Sequence, residues 1–233
     1  PCGDYGLWHA SPLDPRSNRH GASMYVYPYG ILVNSEGCRF ADEAPGSTDE
    51  TYESVARKIA AQTNGISYVI LDARLKDVPN LQVAIRTEQP AIEADTLPKL
   101  AGKLGIPAEA FENTVAAYNK ACRPGAFDPA RVDNLRTHGV SPAKSNWARP
   151  VDTPPFKAYP IACSVVLTFG GLKVNSSAQV LNHDGDPIPN LYAAGETMGL
   201  YFGAYTGATS VMKGAVFGRL AGIDAARRRL ARG

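Results

Sequence analysis

Residues 189–196 read Pro-Asn-Leu-Tyr-Ala-Ala-Gly-Glu. A short apolar run ends at Gly195 and is followed at once by a carboxylate, Glu196. Such runs read as buried strands. A buried strand delivers whatever follows it to the C-terminal edge of a sheet, where ligands of α/β proteins bind. Glycine there lets another group approach the backbone. A carboxylate there can accept charge-assisted hydrogen bonds from sugar-alcohol hydroxyls. A solvated glutamate in a strand-to-loop turn is the plainer alternative.

Upstream of this segment, Pro160–Asn175 reads as strand and is broken by Thr168-Phe169-Gly170-Gly171. The paired glycines mark either a tight turn or bulge or a place where something flat meets the backbone. Ala178–Leu181 reads as a further strand, with a hairpin at His183-Asp184-Gly185-Asp186 and a third strand at Leu191–Ala194. Downstream, small residues at 203–210 lead into one long helix over 207–232, with Val211, Ala215, Leu220, Ile223 and Leu230 on one stripe. Thr209 or Ser210 is placed to cap it. The exposed amides and positive dipole of such a helix start favour a developing negative charge.

The first 21 residues read as loop, and Met24–Asn34 alternates as a strand. A helix is expected over about 50–62, capped by Ser47 or Thr48. Residues 67–72 read as a buried strand and 80–86 as a turn or two of helix. Thr96 precedes a helix with Pro98 in its first turn and Gly105 as its stop, and Pro107 opens another whose Phe111, Val115, Tyr118 and Cys122 share a face. Residues 124–158 are proline-rich and irregular, the kind of long loop that is usually functional. Arg39 with Asp42 and Glu43 reads as a structural ion pair, and Tyr25, Tyr27, Tyr29 and Tyr52 as strand aromatics that pack.

The chain has 233 residues, 44% of them hydrophobic and 20% charged, which is the composition of a globular protein. A net charge of +2 gives no electrostatic footprint for nucleic acid. Cys2, Cys38, Cys122 and Cys163 form no CxxC pair, and no two histidines have metal-ligand spacing, so no metal site is expected. Scattered cysteines suit a reducing, cytoplasmic setting. No apolar run approaches the ~20 residues of a membrane helix.

In series, GGLKV at 170–174, the hairpin, IPNLYAAGE at 188–196, the aromatic glycine-rich loop and GAVFGRLAG at 214–222 strongly resemble the C-terminal segment of flavoproteins of the fumarate reductase/succinate dehydrogenase family. YPYGILVNSEGCRFADE at 27–43 is similar to the opening of that family's capping domain. EADTLPKLAGKLGIPAEAFENTVAAYN at 93–119, DNLRTHGV at 133–140 and PPFKAYPIA at 154–162 also look like its cap. The tricarballylate dehydrogenase-like branch is the nearest in character. The implied fold is an α+β capping domain plus the C-terminal part of an α/β Rossmann-like FAD-binding domain, which is incomplete here. Residues 1–21 would be an FAD-domain segment, 22–158 the cap, and 159–233 the C-terminal segment of the FAD domain.

The resemblance also implies roles. Gly195 and Glu196 would hold the ribityl or ribose hydroxyls of FAD, and Gly170 and Gly171 would lie against its ring. Ser210, Val211 and Met212 would offer amides to the ring's O2 edge. Tyr205 and His9 are the implied catalytic candidates. The Tyr205 loop resembles the Tyr-Pro-Gly loop of the tricarballylate-like branch and of ketosteroid dehydrogenases, and a phenol there can donate to a substrate carbonyl. Thr48, Thr168, Phe202 and Thr206 are the implied substrate contacts. Where fumarate-reducing members carry arginine and histidine, this chain has the stretch around Thr48, Leu167, Phe202 and Thr206. A threonine cannot clamp a carboxylate bidentately as arginine does. The expected partner is therefore a less charged carbonyl compound rather than a dicarboxylate. A non-catalytic ligand-binding or interaction module derived from a flavoprotein is the alternative.

No G-x-G-x-x-G occurs. That loop seats a pyrophosphate on a helix N-terminus, so an N-terminal FAD-binding half is expected to be missing. Equilibrium dialysis of the 233-residue chain should accordingly show weak or absent FAD binding. A tight, yellow complex would overturn that expectation.

Overall fold

The structure is a computed structural model that describes residues 2–3, 6–205 and 207–231. It mixes sheet and helix in two compact units, Ala10–Ser164 and Pro1–His9 with Val165–Gly233. The chain passes from one to the other within β1 (Trp8–Leu13) and β5 (Phe156–Thr168). The larger unit therefore extends past the 22–158 span at both ends.

In the larger unit, β2 (Ile31–Val33), α1 (Thr48–Ala60), β3 (Ile66–Leu71), α2 (Leu81–Ala84), β4 (Ile92–Ala94), α3 (Leu97–Leu104) and α4 (Ala108–Ala121) follow in order. The sheet runs β1-β5-β3-β2, with β4 also paired to β5. β3 pairs antiparallel with β2, Ile31 opposite Ile70, and with β5, Ile66 opposite Ala162. Alternation along each strand divides the apolar residues between two faces. Ile31, Val33, Ile70 and Ala158 pack with Leu100, Leu104, Phe111, Val115 and Tyr118 of α3 and α4. Leu32, Val69, Leu71 and Ile161 pack with Val55 and Ile59 of α1 on the other side.

Local chemistry explains the boundaries. The Glu50 carboxylate takes the Ser47 amide at 3.0 Å at the start of α1. Thr96 accepts from Lys99 N before α3, and Gly105 ends that helix at φ +69°. The Met24–Asn34 strand is corrected: only Ile31–Val33 is strand, and Tyr27–Tyr29 is a single 3-10 turn. Pro28 has no amide to give a ladder. The irregular stretch expected over 124–158 has no helix or strand up to Pro155, but β5 begins at Phe156. Side chains hold the irregular backbone instead: Asp133 Oδ1 takes the amides of Leu135 and Trp147, and Asn119 Oδ1 takes that of Val151.

One ion pair is buried in this unit. Arg39 Nε and Nη2 donate to both oxygens of Glu43 at 2.8 and 2.7 Å, with the side chains 3% and 0% exposed. Glu43 also takes the Leu32 amide of β2 at 3.0 Å, and the guanidinium lies 4.9 Å from the Tyr118 ring centroid. Asp42 serves elsewhere, accepting from Ala44 N and Ser145. Lys144, fully buried beside this pair, donates to Gly30 O, and burial pushes its pKa down to about 8.

The smaller unit contains the hairpin of β6 (Gln179–Leu181) and β7 (Pro187–Tyr192), then α5 (Thr209–Leu230). The strand expected at Leu191–Ala194 starts earlier, because the turn at Gly185, φ +91°, brings Pro187 opposite Leu181. Its core is small: Val180, Ala193 and Met198, with Val174, Ile188 and Phe217 against them. Among the described residues, every exposed large apolar side chain except Val83 and Val132 lies in this unit. No described helix is long and apolar enough to cross a membrane.

Glu43→Ala would leave Arg39 buried and uncompensated, and should cost about 3–5 kcal/mol. Glu93→Ala, at the solvent-exposed Lys157–Glu93 pair, should cost under about 1 kcal/mol. Urea denaturation of both variants checks the ratio.

Candidate functional site

Three segments of the smaller unit meet backbone to backbone. Cys2 and Gly171 exchange both amide hydrogen bonds, at 3.1 and 3.0 Å. Leu172 N donates to Thr197 O at 2.9 Å and Gly199 N to Leu172 O at 3.1 Å. Glycine makes this possible. A Cβ on Gly171 would sit 2.5 Å from Gly199 N, and one on Gly199 would sit 1.8 Å from Cys2 O. The space beside Gly171 is thus filled by the chain's own backbone.

This junction sets the turn after β7. Gly195 is at φ +69° with nothing near its missing Cβ, and Glu196 is exposed. Glu196 Oε1 takes the Thr168 amide at 2.7 Å and lies 3.2 Å from the Thr168 hydroxyl. Oε2 accepts from no described residue. Next to Thr168 a concavity of about 410 Å3 is lined by Gly6, Leu7, Trp8, Val165, Thr168 and Gly170, and its walls are mostly apolar.

The second turn of α5 packs against the same segment, with the position of a Cβ on Gly214 3.8 Å from Gly195 Cα. Neither Thr209 nor Ser210 caps this helix. The N-cap is Ala208 at φ +65°, and Tyr205 does the capping from outside. Its hydroxyl takes the Ser210 amide at 3.3 Å and lies 2.8 Å from Ser210 Oγ. Met212 N donates to Ala208 O at 3.4 Å, and the Val211 and Met212 side chains are exposed.

The two catalytic candidates are brought together. The ring of His9, which is buried, lies 4.0 Å from that of Tyr205. Tyr201 stands edge-on to Tyr205 at 5.3 Å and 5.6 Å from Phe169. Phe202 is exposed beside this cluster in sequence, and Leu167 is buried. Thr206 lies outside the described residues. Thr48 belongs to the other unit, where it lines a groove with Tyr25, Tyr29 and Asp49. Sequence reasoning passed over Tyr201 and Lys213. Lys213 Nζ donates to Met198 O at 3.0 Å and sits 4.6 Å from the Tyr201 ring centroid. Burial lowers its pKa, while the Glu196 charge opposes that shift. A lysine inside an otherwise ordinary helical stripe gives no signal in the sequence.

Comparison with known proteins identifies the family. The family model described as "FAD binding domain" matches residues 7–211. The chain is 35% identical over 224 residues to an NADH:acrylate oxidoreductase of Vibrio harveyi, covering 91% of this chain and 20% of that protein. It superposes on an open conformation of a flavocytochrome c3 fumarate reductase with TM-score 0.70 and 27% identity, covering 94% of this chain and 36% of the other. A 3-ketosteroid-Δ4-(5α)-dehydrogenase of Rhodococcus jostii gives TM-score 0.59 at 28% identity, covering 94% and 41%. The chain thus spans between a fifth and about two-fifths of the length of these proteins.

Tyr205→Phe removes the hydroxyl that serves Ser210 and should lower stability by about 1 kcal/mol. Urea denaturation reads this directly, and an unchanged midpoint would show that the contact contributes nothing in solution.

Proposed function

The chain belongs to the FAD binding domain family, and from that membership we propose that it is the C-terminal part of a flavin-dependent oxidoreductase acting at a carbon–carbon bond beside a carbonyl or carboxylate. The observation that carries this reading is that, in one unit, the oriented Glu196 carboxylate and the apolar concavity at Thr168–Gly170 share Thr168. These residues fit a flavin: a carboxylate with one open oxygen suits polyol hydroxyls, and an apolar concavity suits an aromatic ring.

FAD bound in the whole protein would supply the acceptor or donor of hydride. The chain's own residues do the rest. Thr168 fixes Oε1 of Glu196, so that Oε2 is aimed rather than free to rotate. Tyr205 accepts the Ser210 amide, and a hydroxyl that accepts a hydrogen bond donates a stronger one. Its phenol would donate to a substrate carbonyl and acidify the adjoining C–H. His9 holds the Tyr205 ring from one side. The buried Leu167 and the exposed Phe202 bring no charge to the site, which supports a substrate with little charge on the carbons that react. We read residues 22–158 as the capping domain, with Thr48 as its candidate substrate contact.

The exposed apolar side chains of the smaller unit support a missing half. Val165, Leu172, Leu191, Val211, Met212 and Val216 are exposed, against Val83 and Val132 alone among the described large apolar residues of the larger unit. An upstream Rossmann-like portion would cover them.

The full-length gene product should show a flavin absorbance band that bleaches on anaerobic addition of an oxidisable carbonyl substrate or a reductant. A colourless full-length protein would overturn the flavoenzyme reading in favour of a non-catalytic binding module.

A further inference from the structure

The single buried side chain of α5 is a lysine. Lys213 is 4% exposed, whereas Val211 and Met212 beside it are 72% and 59% exposed. Burying an ammonium is costly unless it is compensated, and a methionine or leucine would fill the same space without that cost. No carboxylate among the described residues pairs with Lys213 directly. Its compensation comes from two groups at once, the Met198 carbonyl and the face of Tyr201. A cation on a flexible stem is what satisfies a carbonyl oxygen and an aromatic face together. Tyr201 touches Tyr205, and Tyr205 touches His9. Met198 lies two residues past Glu196, at the end of the turn that the glycine junction holds.

We infer that Lys213 is a positioning residue: its ammonium locks the 198–201 segment onto α5 and, through the Tyr201 ring, keeps Tyr205 packed against His9. This rests on the flavoenzyme reading for what the site does, but on the contacts above for how it is held. The side chain needs both its charge and its reach. Arginine retains the charge, the donor and the affinity for an aromatic face, whereas methionine retains only the bulk.

The test uses the full-length protein with Lys213→Met, Lys213→Arg, Tyr201→Phe and Tyr201→Leu. Amide hydrogen exchange over residues 198–205 should rise about tenfold in Lys213→Met and stay within about threefold of wild type in Lys213→Arg, with residues 10–164 unchanged. In turnover, Lys213→Met should lower kcat about tenfold with KM within about twofold, and Lys213→Arg should restore it. Tyr201→Phe keeps the ring and should behave as wild type; Tyr201→Leu should follow Lys213→Met. Wild-type exchange in Lys213→Met, or equal impairment by arginine and methionine, would overturn the proposal. Should Lys213→Met fail to accumulate, the Tyr201 pair decides, and identical exchange in Tyr201→Phe and Tyr201→Leu refutes it. The exchange measurements need no flavin, so a protein that never turns yellow defeats the functional reading while Lys213 is still judged on its own.

Discussion

The backbone contact among Cys2–Gly3, Phe169–Leu172 and Thr197–Gly199 is the constraint on which the smaller unit depends. Three strands of chain from distant parts of the sequence approach until only hydrogen atoms fit between them. Any side chain at Gly171 or Gly199 would collide with backbone, which cannot rotate away. This rigidity is useful. The segment carrying Thr168 and the segment carrying Glu196 enter the junction from two sides, so their hydrogen bonds form between parts that are already fixed. A carboxylate held in this way loses little freedom when a ligand arrives, which is the advantage of preorganisation.

The two units are stabilised by different means. The larger has an apolar layer on each face of its sheet and closes its one buried ion pair completely, with Glu43 satisfied by Arg39 and by the Leu32 amide. The smaller has only a handful of buried apolar residues. Its long helix is tied down by polar contacts: Lys213 to Met198 O, Tyr192 to Asp224, and Arg228 to both Asp224 and Gln179. Arg228 and Tyr192 hold the Asp224 carboxyl below its ordinary range. Val211, Met212, Val216, Ile223 and Leu230 of this helix are exposed, while Lys213 is buried and Phe217 packs on the small core.

Much of the fold was legible where local chemistry and packing agree. Thr96 and Gly105 bound α3 as caps do, and Phe111, Val115, Tyr118 and Cys122 of the α4 stripe are all buried. The ion pair at Arg39 was read correctly, although Asp42 turned to other partners. Reading failed where one residue overrode a pattern. Pro28 broke an alternating strand, and Tyr205 took over the capping of α5 from Thr209 and Ser210. The α5 stripe predicted from spacing exists in the sequence, but Ile223 and Leu230 lie exposed, because spacing says which residues share a face and not what covers it.

By itself the sequence determined the main helices, the strand at 67–72 and the hairpin after Gly171, but not β1 or β4, because capping residues and apolar periods act over a few neighbouring positions. Only the tertiary structure decided which groups meet: that Glu196 is aimed by Thr168, that His9 packs against Tyr205, that Gly171 is reserved for backbone, and that a lysine is the buried side chain of the last helix. Those contacts join residues up to nearly two hundred positions apart, roughly the span from His9 to Tyr205, and no local propensity operates over such a distance.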